Sequence, residues 1–380
     1  MENLKKFKIF FFKNILYFIF GAYLTYMFVF YFFNLQMGYI LGGDSSRYID
    51  GANNIINWKL PDGKGTGYLG YISYIAIFKY FKLDLTFVVL SQILLTFISS
   101  ICIYKITKKI SSYTISIFVL SLYLFYFPLQ MWNFYILTET IFICLIIFIV
   151  YFFVFFKKGN IPILTLLIIF YISIKPHGII LIPSLSLTLL IWLYLNNKLR
   201  ALYLTIILLI ILFFPILSLL NLYLENENII NSIANLGIIW GYEDKNNYLD
   251  YKIPAIVNND LLSLLLFLKN NILTFVIGFF KKIWFFNFRI RPYYSDFHNF
   301  YIIAFNLVYW PAAVIGLLKL QNKNNLGIIF MYSMIIFYNL AIGLSWADWD
   351  GRFSLYILPL IFIFAGIGFH KIRHLKDKFF

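Results

Sequence analysis

The strongest constraint in this sequence is a series of apolar stretches, most of them about 20 residues long, separated mainly by short polar loops. A helix needs about 20 consecutive, mostly apolar residues to cross the hydrocarbon core of a bilayer. Only 12% of the residues are charged, whereas 62% are hydrophobic, which leaves too little polar surface to cover a soluble globule. We therefore expect an all-α polytopic membrane protein.

About ten segments are apolar enough to form spanning helices. They are residues 14–34, 85–104, 112–130, 134–156, 161–174, 178–195, 202–224, 299–318, 326–344 and 353–370. Long loops at 35–84 and 225–298 interrupt the series, and neither a repeat nor a soluble domain is evident. We expect residues 1–380 to form a single integral-membrane domain.

The basic residues predict the orientation of the chain. Lys and Arg in short loops stay on the cytoplasmic side, and with ten spans six basic segments fall on that side. These are the N-terminus, the loops around 105–109, 157–158, 198–200 and 319–323, and the tail at 371–378. Both termini are therefore predicted to be cytoplasmic in the inner or plasma membrane, with both long loops outside. This pattern explains the net charge of +15 without a nucleic-acid partner.

Residues 261–288 are apolar enough to suggest an eleventh span, which would place the basic tail outside. The segment also carries Lys269, Lys281 and Lys282 among Leu, Phe and Trp residues. Basic, aromatic and amphipathic helices are typical of the membrane interface. We expect one or two interfacial helices on the outer side.

The first outer loop contains the first candidate for chemistry. Gly42 and Gly43 interrupt the chain, Asp44 follows, and Ser45 or Ser46 is predicted to cap a short helix. On this helix Asp44, Tyr48 and Ala52 or Asn53 would share one face. A carboxyl group at the membrane boundary can act as a base near neutral pH. The alternative is an ordinary acid favoured by the helix dipole.

Two further outer positions carry charge at the edges of apolar segments. Glu139 is predicted one turn inside its span, and acids in spans are by default functional or paired, here with Lys175 or Arg352. Lys175 opens a predicted outer corner with Pro176 and His177. A lysine there could bind phosphate or extend to lipid headgroups.

The last outer loop reads SWADWDGRF and contains Asp348, Asp350 and Arg352. Arginine binds phosphate through two parallel hydrogen bonds, while Trp346 and Trp349 suit either a sugar or an interfacial aromatic belt. No metal ligand set is predicted, and a divalent cation is left open as a cofactor.

Several of these features together resemble one family. Asp44, Tyr48 and Ala52 give a D-x-x-x-Y-x-x-x-A spacing, and an amphipathic segment follows at about 67–82. The chain resembles the GT-C superfamily of membrane glycosyltransferases, most of all the branch of glycosyltransferase family 39, the protein mannosyltransferases and the lipid A aminoarabinose transferases.

The resemblance extends along most of the chain. Thr138–Glu139 matches the (T/S)E element of the family, and Arg352 before Pro359 matches its basic residue near a late proline. The paired lysines of 261–288 are also similar. Ser45 departs from the pattern, because many relatives have a second acid there.

The resemblance implies a GT-C-like bundle and an inverting hexosyl or pentosyl transferase of envelope or polysaccharide biosynthesis. Its donor would be a sugar on polyprenyl phosphate, and its acceptor a glycan, lipid or protein at the outer face of the membrane. Asp44 would be the base, and Glu139 would orient the acceptor or a phosphate-binding lysine. Lys175 and Arg352 would hold the phosphate, and the other predicted substrate-binding residues are Tyr48, His177, Asp348 and Asp350.

Two other functions are compatible with a membrane bundle. A flippase or transporter of a lipid-linked sugar would need polar residues through the middle of its spans, and segments 85–156 and 178–224 contain almost no mid-span charge. An O-antigen polymerase or ligase would typically depend on a large basic outer loop, whereas residues 225–260 are acidic and rich in Asn.

Overall fold

The structure, a computed structural model, describes residues 2–34, 38–211, 237–239, 242, 244–252, 261–318, 325–345, 347 and 351–379. It is 82% helical, and the described residues form no strand beyond two isolated β-bridges. The expected all-α class is therefore confirmed, and the long apolar helices identify a membrane protein.

The described residues form a series of helices. In chain order they are α1 (Glu2–Asn34), α2 (Ser45–Ile56), α3 (Leu69–Tyr80), α4 (Thr86–Ile110), α5 (Tyr113–Phe125), α6 (Phe127–Gln130), α7 (Glu139–Val154), α8 (Ile161–Ile174), α9 (Leu181–Leu195), α10 (Leu199–Ile211), α11 (Leu261–Asn270), α12 (Ile272–Phe288), α13 (Asp296–Leu318), α14 (Leu326–Leu344) and α15 (Leu358–Phe379). Short 3-10 helices lie at Gly63–Tyr68, Met131–Phe134, Lys158–Asn160, Pro176–Ile180, Lys245–Asn247 and Phe353–Tyr356.

Five helical segments of the described chain are long and apolar enough to cross a membrane. They are Asn14–Tyr31, Thr86–Ile110, Pro176–Leu195, Asp296–Leu318 and Leu326–Leu344. The number rises to seven if two bent pairs each count as one span, namely α5 with the residues up to Phe134, bent by 59°, and α11 with α12, bent by 87°. The described residues therefore support five to seven spans, and the total of ten is part of the proposal below.

The chain divides into two compact units. The first comprises Met1–Ile179, Tyr309–Gln321 and Leu358–Phe380, and the second comprises Ile180–Val308 and Asn322–Ile357.

The first unit is built around α7, whose side chains are almost all buried and which packs on α4 and α8. α15 packs against α4 and α5. It also crosses the last turns of α13 closely, because a Cβ at Gly316 would clash with the Phe364 carbonyl and one at Gly368 with the Ala312 carbonyl. Small residues of this kind let apolar helices approach at backbone distance.

In the second unit α14 packs against both α9 and α12. Thr188 Oγ1 donates to Ser333 Oγ at 3.2 Å between α9 and α14, and Asn287 Nδ2 donates to Asn339 Oδ1 at 2.5 Å between α12 and α14. These bonds satisfy polar groups that would otherwise be costly among apolar side chains.

Residues 261–288 form two helices, which agrees with the expected number of one or two, and they do not form one straight span. The chain turns at Asn271, whose Nδ2 donates to the carbonyls of Phe267 and Lys252 at 2.9 and 3.0 Å. The paired lysines have opposite environments, since Lys281 is exposed and Lys282 is buried.

Two predicted segment starts are wrong. The segment 134–156 becomes helical only at Glu139, because residues 135 and 136 pair with the first loop, so Glu139 is the first residue of α7 and does not lie one turn inside it. The last segment, 353–370, begins with a 3-10 turn, and α15 starts at Leu358.

Candidate functional site

A parallel β-bridge between Ile40 and Tyr135 holds the first loop of the first unit. The Ile40 amide donates to the Phe134 carbonyl at 2.8 Å, and the Ile136 amide donates to the Ile40 carbonyl at 3.0 Å. Ser45 adds a third link, because its Oγ donates to the Ile136 carbonyl at 2.9 Å. The loop that leads to α2 is thereby attached to the segment that leads to α7.

Asp44 and Glu139 each lie four residues beyond this bridge, and each stands at the start of a helix. In a parallel pairing both chains leave the bridge in the same direction. The two carboxylates predicted as catalytic are therefore held by a common local scaffold.

Asp44 occupies the N-cap position of α2 but makes no capping hydrogen bond. The expectation that Ser45 or Ser46 would cap the helix is wrong, because Ser45 Oγ accepts from the Gly42 amide and bonds the Ile136 carbonyl. Asp44 Oδ1 instead pairs with Arg47 at 3.1 Å, with 31% of the Asp44 side chain exposed. The Arg47 guanidinium also lies over the Tyr68 ring, 5.9 Å from its centre.

Tyr48 lies on the inner face of α2, together with Ala52. Its ring contacts Tyr68 and Tyr71 with centres 5.2 and 5.1 Å apart. The predicted shared face is thus confirmed for Tyr48 and Ala52, whereas Asp44 at the helix start is partly open to solvent. Tyr48 is thus buried between α2 and the aromatic rings of Tyr68 and Tyr71.

Glu139 is bound to Lys175, one of the two partners that the sequence suggested. The Lys175 Nζ lies 3.0 Å from Glu139 Oε1, and both side chains are almost fully buried. Thr138 Oγ1 donates to Glu139 Oε2 at 3.5 Å. A buried pair of this kind is held in one geometry, because separating it would leave a charge unsolvated.

The corner that carries Lys175 is placed by close packing of α3 on the end of α8. A Cβ at Gly70 would come within 2.9 Å of the Ser173 carbonyl carbon, and one at Gly67 within 3.1 Å of Pro176 Cγ. His177 is half-buried in the 3-10 helix that follows. These two glycines belong to the G-x-G-x-x-G stretch of the first loop, so here that stretch serves helix packing.

Gln92 of α4 is fully buried. Its Nε2 donates to the carbonyls of Asn133 and Tyr135 at 2.9 and 3.0 Å, and its Oε1 accepts from the Tyr71 hydroxyl at 3.3 Å. Burial raises the pKa of the Tyr71 phenol well above its usual value, so Tyr71 stays a hydrogen-bond donor. Tyr74 and Glu139 add to this rise in the pKa of Tyr71.

Arg352 belongs to the second unit, at the start of the Phe353–Tyr356 turn, with its guanidinium 5.8 Å from the centre of the Phe353 ring. Arg289 of the same unit is buried in a left-handed conformation and packs its side chain against Gly351. Arg291 is fully buried and donates to the Phe285 carbonyl at 2.6 Å. Asp348 and Asp350 lie outside the described residues.

Sequence reasoning missed five of these residues. Arg47 could have been found from its i, i+3 spacing to Asp44, and Gln92 as a polar residue inside an apolar span. Tyr71 and Arg289 carried no local signal, because their contacts with Gln92 and Gly351 join distant segments, and Arg291 was missed although it bonds the nearby Phe285 carbonyl. Within the described ranges, no three His, Cys, Asp or Glu side chains group as metal ligands.

No protein-family model matches the chain, and no curated protein matches it.

Proposed function

We propose that this protein transfers a sugar from a polyprenyl-phosphate donor to a glycan, lipid or protein acceptor at the outer face of the inner or plasma membrane. The observation that carries the proposal is the placement of Asp44 and Glu139 at two helix starts joined by one bridge, with Lys175 on Glu139. The proposal includes ten spans, cytoplasmic termini and an interfacial position for α11 and α12.

Asp44 is the proposed base, since its carboxylate is not used to cap its helix. Asp84 shows the contrast, because its Oδ1 accepts from the Thr86 amide at 2.8 Å at the start of α4. The Asp44 carboxylate is partly exposed and bonds Arg47 through Oδ1. Its partial exposure leaves the carboxylate accessible to an acceptor hydroxyl.

In the proposed transfer the acceptor hydroxyl gives its proton to Asp44 as its oxygen attacks the anomeric carbon. The bond from that carbon to the phosphate oxygen breaks, and its electron pair leaves with the polyprenyl phosphate. Attack opposite the leaving group inverts the anomeric carbon. The departing phosphate needs positive charge at the moment of transfer.

Glu139 and Lys175 serve the leaving phosphate in this scheme as an oriented pair. The Lys175 ammonium donates to Glu139 Oε1, which fixes the direction of both groups. By the resemblance, Arg352 is proposed to bind the donor phosphate, and Tyr48, His177, Asp348 and Asp350 are proposed to bind substrate.

The test replaces Asp44 by Asn in cells that lack the native copy, at matched protein level. We expect the surface glycans to change in mass profile or linkage as they do in the deletion strain. Asp50→Asn is the matched control, because Asp50 is an exposed acid on the same helix, and it should behave like the wild type. Unchanged glycans with Asp44→Asn, or movement of the lipid-linked sugar across vesicles without any acceptor, would overturn the assignment.

A further inference from the structure

Both polar atoms of the Gln92 side-chain amide, Nε2 and Oε1, form hydrogen bonds within the protein. Its two donated bonds end on Asn133 and Tyr135, and its accepted bond comes from Tyr71. A buried amide must satisfy its donors and acceptor within the protein. Gln92 therefore fixes α3 and the segment before α7 relative to α4.

Both sets of partners lead to the two acids. Tyr135 forms the bridge with Ile40, beyond which the chains run to Glu139 and Asp44. Tyr71 packs edge-on against Tyr48 of α2, the helix that begins at Asp44. A shift of Gln92 would thus be transmitted to the site along two independent routes.

A second layer of hydrogen bonds holds Gln92 and its partners in place. Thr96 Oγ1 donates to Asn133 Oδ1 at 2.7 Å, and Asn133 Nδ2 donates to Gln130 Oε1 at 3.0 Å. Tyr23 of α1 donates to the same Gln130 oxygen at 3.0 Å. Buried networks that are satisfied in this way restrict a core to one arrangement.

We infer that Gln92 and Tyr71 are positioning residues, which fix the Glu139 carboxylate, and through it the Lys175 ammonium, relative to Asp44. The catalytic purpose of this positioning rests on the proposed function. The effect of Gln92 and Tyr71 on the Glu139 carboxylate can be measured without substrate. A network that only stabilised the fold would leave the Glu139 carboxylate unaffected by a mild change at Tyr71.

The test is infrared spectroscopy of the purified full-length protein labelled with ¹³C-glutamate. The chain has five glutamates, Glu2, Glu139, Glu225, Glu227 and Glu243. The band of Glu139 is identified by its loss in the double variant Glu139→Gln/Lys175→Met, which removes both charges together and so avoids an unpaired buried charge.

Tyr71→Phe and Gln92→Met should both move the Glu139 carboxylate band. Tyr74→Phe is the matched control, because Tyr74 lies on the same helix, its hydroxyl contacts Ser91 of α4, and its ring is kept. It should leave the band in place. An unmoved band in Tyr71→Phe, or an equal movement in Tyr74→Phe, would overturn the inference.

Surface glycans of cells expressing the same variants give a second readout. Tyr71→Phe should lower transfer about tenfold, since small displacements at a site are costly, and Tyr74→Phe should not. If Asp44→Asn leaves the glycans unchanged, the proposed function fails while the infrared result still decides the positioning. If Asp44→Asn changes the glycans but the infrared band does not move in Tyr71→Phe, the positioning role is wrong and the proposed function is retained.

Discussion

Asp44 and Glu139 stand at equivalent places, each four residues past one bridge and at the start of a helix, yet their surroundings differ. Asp44 pairs with a residue of its own helix and keeps 31% of its side chain exposed. Glu139 is buried and pairs with Lys175, 36 residues away in the sequence.

This difference separates two tasks for the same chemical group. An exposed carboxylate with a local partner can exchange protons with an arriving hydroxyl at little cost to the fold. A buried carboxylate with a distant partner joins two helices, here α7 and the end of α8, and fixes the direction of a cation. We therefore assign proton transfer to Asp44 and orientation to Glu139, as the proposed function requires.

The largest expected effect concerns the buried pair. Glu139→Gln or Lys175→Met alone should lower the free energy of unfolding by about 3–5 kcal/mol, because each leaves one buried charge without its partner. The double variant should recover most of that loss. Thermal and denaturant unfolding of the purified protein in detergent measures the three values. Additive losses in the double variant would show that the two groups do not act as a pair.

A smaller effect is expected at Asp84, whose carboxylate accepts a hydrogen bond from the first amide of α4. Asp84→Ala should cost about 0.5–2 kcal/mol, whereas Asp44→Ala should cost less, because only Asp84 bonds a helix amide. The hydrogen bonds from Thr86 lower the pKa of Asp84 below 3.8. The stabilisation of the fold by the ionised Asp84 carboxylate is therefore present above pH 3.8 and is lost as the pH falls through the lowered pKa.

Unfolding of the wild type and Asp84→Asn across acidic pH checks this sign. The difference between the two proteins should shrink as the pH falls. A difference that grows toward acid would contradict the hydrogen-bonded role of the Asp84 carboxylate.

The smallest effect is expected at Arg47. Arg47→Ala should change the free energy of unfolding by about 0–1 kcal/mol, since its pair with Asp44 is exposed and local. Added salt should diminish even that difference. A loss as large as that of Lys175→Met would mean that the two acids are not as different as their burial indicates.

Much of the helical framework was predictable from apolar length alone. Segments such as 326–344 reappear with the same bounds, and the corner at Lys175 lies between α8 and α9 as expected. Apolar length is a local property, so no knowledge of distant contacts was needed. The start of α7 was mispredicted because residues 135 and 136 are apolar enough for a helix but pair with Ile40.

The candidate site was only partly predictable. Asp44 and Glu139 stood out because charge is rare in this chain, and the choice between Lys175 and Arg352 as the partner of Glu139 could not be made from sequence. Gln92 and Tyr71 are ordinary residues in their own segments. Their importance comes from hydrogen bonds and ring contacts that join α3, α4 and the approach to α7.

Apolar length and charge placement are properties of short stretches of chain, so they are enough to identify a helical membrane protein whose charged residues are concentrated at the ends of apolar segments. Which acid is partly exposed and which is buried with a lysine depends instead on tertiary contacts. The reason is that burial and pairing are set by the bridge between Ile40 and Tyr135 and by the packing of α3 on α8, which bring together segments far apart in the chain.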